Sequence, residues 1–230
     1  AQSLGCIGVS GASARRSSQN KLAMRYFLKK NGYENQPNFS ILDSNRLEED
    51  YVLNFDAVIK PLFGSSSHGV IKIKNGENVK AKIDDALLTV SASEREVFKN
   101  FKGHFILEQY VSGGVFSVDG IVQNEEVMFA GITEFIMGEE PFFTQIGSII
   151  PAKINSDLQA QLYSNTSEVI KILEFDNCGF HAEFRANNDS VFLLEIASRL
   201  PGGGIQMGYE KSLGVELTKA MIDVWLGNKV

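Results

Sequence analysis

Apolar residues in this chain fall mostly in short strand-like runs, with helical spacing confined to a few longer stretches. In Ser17–Asn31 (SSQNKLAMRYFLKKN), Leu22, Tyr26 and Phe27 recur at helical spacing between a Ser start and a Gly32 stop, with Lys21 in the first turn. Gln36–Asp50 reads as irregular. Asp56–Leu62 and Val70–Lys74 read as strands either side of a Gly/Ser loop, Phe63–Gly69 (FGSSSHG). A helical pattern over Glu77–Phe101 leads into the strand His104–Tyr110. Gly113 and Gly114 mark a turn, and Val115–Val122, Val127–Phe135 and Thr144–Ile150 read as further strands. A helix over Ser156–Glu174 precedes strands Gly179–Ala186 and Ser190–Ser198, joined by the turn residues Asn187, Asn188 and Asp189, and a helix over Val215–Leu226 ends the chain. Groups of adjacent strands separated by helices predict an α+β fold rather than a doubly wound parallel sheet.

The hairpin near the end places charge in an apolar setting. Side chains alternate along a strand, so His181, Glu183 and Arg185 share one face, with Ala182, Phe184 and Ala186 on the other. On the returning strand Phe192, Leu194 and Ile196 form one set, and Leu193, Glu195, Ala197 and Arg199 the other. With Ala186 opposite Ser190, His181 lies opposite Glu195 and Glu183 is a diagonal neighbour. Two carboxylates facing one space repel unless arginine or a cation joins them, and a hard dication such as Mg²⁺ suits such a pair. The alternative is an ordinary solvated Glu/Arg face.

In "KPLFGSSSHGV", Lys60 ends a strand before a loop rich in Gly and Ser. Such a loop lets backbone N–H groups and hydroxyls approach anionic oxygens, as over a phosphate. It is not a Walker loop, because the lysine precedes the glycines, and a plain hairpin loop with a solvated Lys is the alternative. Gly202–Gly204 present a similar pair of readings: close approach of backbone to a substrate carboxylate, or a turn leading into a helix at Ile205.

Composition narrows the chemistry. The 230 residues, 43% hydrophobic, suffice for one large domain or two small lobes. A net charge of -6 gives no footprint for a nucleic-acid backbone. Cys6 and Cys178 lack CxxC spacing and fit a reducing compartment, so a cytoplasmic location is expected. No apolar run is long enough to span a membrane, and the start lacks both Met and a signal pattern, which reads as a fragment.

Together, "NKLAMR", "VIKPLFGSSSHGV", "ILEQYVSGG", "GFHAEFR" and "FLLEIASR", in this order, resemble the ATP-grasp superfamily over nearly the whole chain. The resemblance implies two lobes of mainly antiparallel sheet with helices, enclosing ATP. It assigns residues 1–52 to a leading helix and a linker from a preceding domain, 53–110 to a small lobe with the glycine-rich loop, and 111–230 to a large lobe with the magnesium site. Lys21, Lys60 and the loop residues Gly64, Ser65, Ser66, Ser67, His68 and Gly69 are implied for the phosphates, and Glu108, Gln109, Tyr110 and Val111 for the adenine. Glu183 and Glu195 are implied as ligands of Mg²⁺, with Mn²⁺ as its substitute, and Arg199 and Lys60 as catalytic groups.

Two positions depart from the family pattern. Val115 stands at or near a common ribose-binding acid, which puts ribose recognition in doubt, and Ala197 replaces a frequent asparagine near the metal, which implies weaker metal binding rather than loss of catalysis. The activity implied is an ATP-dependent carboxylate–amine ligase working through an acyl-phosphate. "FTQIGSIIPAKI" and "EIASRLPGGGI" favour amino-acid or dipeptide ligases, the alternatives being a bicarbonate-activating enzyme and a non-catalytic ATP-binding module. The implied partners are ATP and small carboxylate and amine substrates, with no nucleic acid or membrane, and a homo-oligomer is compatible with the resemblance.

Overall fold

The computed structural model describes residues 20–64, 67–91, 102–141 and 143–230. Helix α1 (Lys21–Lys30) is capped by Asn20, whose side chain accepts from the Ala23 N–H. The predicted start at Ser17 lies outside the described residues. The buried stripe of α1 differs from the expected one: Met24, Arg25 and Leu28 face inward. Tyr26, expected inside, is 56% exposed and sets its ring edge-on to Phe39.

The small lobe is a four-stranded antiparallel sheet in the order β1-β4-β2-β3: β1 (Phe39–Asp43), β2 (Ala57–Pro61), β3 (Ile71–Ile73) and β4 (His104–Gln109). β1 falls in the stretch expected to be irregular and assigned to a linker. It is a five-residue edge strand with only Leu42 buried, so its sequence has little apolar alternation to announce it. Helix α2 (Val79–Ser91) covers one face of this sheet with Val79, Ile83 and Ala86, against Ile59, Ile71, Ile73, Phe105 and Leu107. The remainder of the helical pattern expected to Phe101 lies outside the described residues.

The large lobe is a five-stranded antiparallel sheet, β7-β6-β5-β8-β9: β5 (Gly114–Gln123), β6 (Glu126–Met137), β7 (Gln145–Ile149), β8 (Cys178–Ala186) and β9 (Val191–Ala197). Helix α3 (Ser156–Leu173) and the inner face of α1 pack on one side through Met24, Leu28, Leu162 and Val169 against Phe180, Ala182, Phe184 and Leu193. Helices α4 (Ile205–Leu213) and α5 (Leu217–Trp225) cover part of the other side through Tyr209, Met221 and Val224. α4 agrees with the alternative reading of the glycines, a turn leading into a helix at Ile205. It starts at Gly204, whose φ of 84° suits glycine, and its apolar signal reduces to Ile205 and Tyr209.

The β8–β9 register corrects the expected one. Ala186 faces Val191 rather than Ser190, and Glu183 faces Glu195 directly, with Ala197 opposite His181. Between Glu183 and Phe184 the ladder shifts, Phe184 pairing with Leu193, so Leu194 is an extra residue on β9. That bulge also corrects the assigned faces: Leu193 joins the core, whereas Leu194 lines the space on the other side.

Candidate functional site

A cleft of about 1000 Å³ lies between the lobes. Its small-lobe wall includes Lys60, Gly64, Ser67, His68, Gly69 and Glu108, and its large-lobe wall Glu183, Leu194, Glu195 and Arg199. Gln109, Tyr110 and Val111 line it where the chain passes from one lobe to the other, and Lys21 lines it from α1. The expected site residues therefore converge, except Ser65 and Ser66, which lie outside the described residues. Gly69, at φ +71°, passes so close to β2 and α2 that a Cβ there would lie 2.8 Å from Val90 Cγ2 and 2.9 Å from Pro61 Cγ. Only glycine lets the loop return to β3 along this path.

Lys60 is not a solvated strand end. Its Nζ donates to Glu108 Oε2 at 2.6 Å, and the other Glu108 oxygen accepts from Arg25 Nε at 2.7 Å. Burial alone would push the Glu108 carboxyl up, but Arg25 and Lys60 outweigh it and hold the group down at about 2. The carboxylate expected at the adenine is thus committed to two cations beneath the cleft. Lys21 bridges the lobes: its backbone N–H donates to Leu62 O, its Nζ donates to Gly64 O at 3.1 Å, and Nζ stands 3.7 Å from Glu195 Oε2.

Glu183 sits in a different network. Its Oε1 is 2.9 Å from His181 Nε2, and His181 Nδ1 is 2.6 Å from Asp119 Oδ1. Burial disfavours a charged imidazole, but hydrogen bonds to Asp119 and Glu183 overcome it and push the His181 pKa up to about 10. The imidazolium then donates to both carboxylates. Asp119 Oδ2 in turn accepts from Ser117 Oγ at 2.7 Å and from Tyr209 OH at 2.9 Å. The Glu183 carboxyl is held below its usual range: burial opposes this, and the His181 hydrogen bond and charge, Lys60 and Arg199 outweigh it. The hairpin face is not solvated throughout: His181 is 5% and Arg185 8% exposed.

Several participants escaped sequence reasoning. Arg25 falls on the buried stripe of α1, four residues after Lys21, and that adjacency was the only signal available. Asp119 lies in an apolar segment, and Tyr209 in a mixed one, with no pattern to mark either. At the connection between the lobes, Arg185 Nη1 donates to Tyr110 OH at 2.6 Å and to Val111 O at 3.2 Å, and Tyr110 OH donates to Glu140 Oε1 at 2.6 Å. Lys72 joins this group through Glu140 Oε2 at 2.7 Å and lies 3.6 Å from the centre of the Tyr110 ring.

Glu183 and Glu195, opposed across one ladder step and partly open at 29% and 33% side-chain exposure, offer hard oxygen donors on the cleft wall. That donor set fits magnesium sharing its coordination with phosphate oxygens and water. Among the described residues no group of three or more His, Cys, Asp or Glu side chains could enclose a metal by itself, and no helix is long and apolar enough to cross a membrane.

The profile of the ATP-grasp domain matches residues 53–207. An alanine–anticapsin ligase of Bacillus subtilis is 23% identical over 73% of this chain and 38% of its own length. An L-arginine-specific L-amino acid ligase of the same organism is 24% identical over 89% of this chain and 49% of its own. The chain thus spans less than half the length of these relatives. Among solved structures, an L-amino acid ligase from Bacillus licheniformis superposes with a TM-score of 0.81 at 19% identity, over 98% of this chain and 53% of that one. A D-alanine–D-alanine ligase from Bacillus anthracis superposes with a TM-score of 0.68 at 17% identity, over 98% and 73%.

Proposed function

Since the chain belongs to the ATP-grasp domain family, we propose that it is the nucleotide-binding part of an ATP-dependent carboxylate–amine ligase that acts on amino acids through an acyl-phosphate. The observation that carries this reading is the direct opposition of Glu183 and Glu195 on one wall of a cleft whose other wall presents Lys60 and the glycine-rich loop. Glu183 and Glu195 would hold the metal, which would supply Lewis-acid neutralisation of phosphate charge there.

Lys60, fixed by Glu108, is aimed into the cleft as a preorganised positive charge, and Lys21 can exchange its Glu195 contact for phosphate. Loop N–H groups around Gly64 and Gly69 add donors. Arg199, exposed two residues past β9 and donating to Leu200 O, faces the charge that develops as a substrate carboxylate attacks the γ-phosphate and ADP leaves. The amine then displaces phosphate from the acyl-phosphate. Preorganised charge of this kind typically contributes about 3 to 4 kcal/mol per removed contact. The amino-acid substrate class draws support from the two Bacillus relatives, named for anticapsin and arginine.

The test is phosphate release from ATP and Mg²⁺ by the full-length protein, offered a panel of amino acids singly and in pairs, or bicarbonate. Release that depends on an amino-acid pair supports the proposal. Release driven by bicarbonate alone moves the protein to the carboxylase branch, and ATP binding without turnover under any condition leaves a nucleotide-binding module.

A further inference from the structure

Arg25 is completely buried at the junction of the two lobes, on a helix whose Met24 and Leu28 belong to the large-lobe core. Besides Glu108, it bonds two backbone carbonyls: Nη1 donates to Leu193 O at 2.8 Å and Nη2 to Leu194 O at 2.9 Å. These carbonyls lie at the β9 bulge. β9 is an edge strand of its sheet and its ladder is interrupted here, so buried backbone groups that do not bond β8 need other partners. The Leu193 N–H finds one in Asn35 O at 2.9 Å, and the carbonyls find theirs in Arg25.

The bulge decides where Glu195 points. Ala186 pairs with Val191 and Phe184 with Leu193; continued without a shift, that register would put Leu194 opposite Glu183 and Glu195 opposite Ala182. Ala182 lies in the large-lobe core, so Glu195 would turn inward. The extra residue, Leu194, moves Glu195 opposite Glu183 and into the cleft.

We propose that Arg25 is a positioning residue: by holding the carbonyls of the Leu193–Leu194 bulge it keeps Glu195 turned to the cleft opposite Glu183, and through Glu108 it keeps Lys60 on the facing wall. A guanidinium suits this part because its planar fork serves three acceptors in fixed directions, which a single ammonium does not. The inference rests on the proposed roles of Glu183, Glu195 and Lys60 in binding MgATP.

Arg25→Lys keeps a positive charge beside Glu108 but cannot span both carbonyls. ATP affinity without metal, measured by calorimetry, should stay within about threefold, while the gain in affinity that Mg²⁺ brings falls by about tenfold or more, as expected for losing a charge-assisted hydrogen bond. In nucleotide-free protein, amide exchange over residues 193–196 should accelerate by a similar factor. Glu108→Gln should split the other way, weakening metal-free ATP binding by about tenfold with the Mg²⁺ gain and the bulge exchange retained. If Arg25→Lys lowers the melting temperature yet leaves both the Mg²⁺ gain and the bulge exchange as in wild type, Arg25 is structural only and the inference is overturned.

Deleting Leu194 provides a rescue. It makes the ladder regular with Glu195 already opposite Glu183, so in the Arg25→Lys background it should restore the Mg²⁺ gain, and cooperative folding too if Arg25→Lys alone had lost it. No rescue overturns the inference. Wild-type protein showing no Mg²⁺-dependent ATP binding would instead refute the proposed function, and bulge exchange in Arg25→Lys would still decide the role of Arg25.

Discussion

Glu108 and Glu183 face each other's lobes across one cleft, and their surroundings could hardly differ more. Glu108 is 2% exposed, with one oxygen on Arg25 and the other on Lys60. Among the described residues Glu183 commits one oxygen, to His181, and keeps 29% of its side chain exposed. Both carboxyls are held ionised, but only Glu183 retains acceptor capacity for something outside the protein. A carboxylate saturated by two cations organises its neighbours, and one left half-open is available as a ligand. The difference separates positioning from binding within a single site.

The contrast breaks first at Arg25. Arg25→Met removes one of two cations from a fully buried carboxylate, and stranding a buried charge costs roughly 3 to 5 kcal/mol. Urea unfolding should show a loss of that size. A loss under about 1 kcal/mol would mean that Glu108 is better solvated than its burial indicates, and the contrast with Glu183 would lapse.

Glu195→Gln should invert the pattern. The residue is one-third exposed and its cation, Lys21, stands 3.7 Å away, so stability should change by less than about 1 kcal/mol. Phosphoryl transfer should slow by about 3 to 4 kcal/mol in the barrier, and the Mg²⁺-dependent part of ATP affinity should fall with it. Calorimetry with and without Mg²⁺, beside a melting curve, reads both; equal Mg²⁺-dependent affinities in mutant and wild type would remove the metal site.

Acid tests the Glu108 clamp by titration. The folded Glu108 pKa, about 2, lies below the ordinary value of 4.5, so the unfolded chain binds more protons between those values. Its contribution is complete above pH 4.5 and is lost as pH falls toward 2, on the order of 3 kcal/mol in all. Wild type should therefore lose its advantage over Glu108→Gln progressively through that window. Parallel acid-unfolding profiles for the two proteins would contradict the clamp.

Much of this molecule was legible in its sequence, and the illegible parts share physical causes. Strands with strong apolar content, such as β4, β5 and β8, lie within one or two residues of their expected bounds. β1 was missed because an edge strand with one buried residue needs little apolar sequence, and α4 was announced only by its entry turn because Gly208 and a short two-residue stripe leave almost no helical period. Glu183, Glu195, Lys60 and the loop could be placed at one site because motif order survives divergence. The direct opposition of the two glutamates could not, since it depends on a bulge at Leu194 that alternation alone does not encode. Arg25 was hidden for a related reason: a charged residue inside an apolar helix stripe has meaning only once its partners, distant by 83 and 168 positions, are known.

The finest test probes how far the Glu183 network extends. Tyr209 OH donates to Asp119 Oδ2 and lies 3.0 Å from Thr133 Oγ1, and burial, reinforced by the Asp119 charge, pushes its phenol well above the ordinary range. Gly131 leaves room for the ring, a Cβ there lying 2.9 Å from Tyr209 Cε1. Tyr209→Phe keeps that packing and deletes two buried hydrogen bonds, to Asp119 and Thr133, while Asp119 retains Ser117 and His181. A stability loss of about 1 to 3 kcal/mol is expected, with Mg²⁺-dependent ATP affinity changed by less than about threefold. Because Tyr209 reaches Glu183 only through Asp119 and His181, a double-mutant cycle between Tyr209→Phe and Glu183→Gln should give a coupling below about 0.5 kcal/mol. A coupling above about 1 kcal/mol would show that α4 and the metal carboxylate act as one unit, and Glu183 would then belong with Glu108 among the carboxylates that organise the fold.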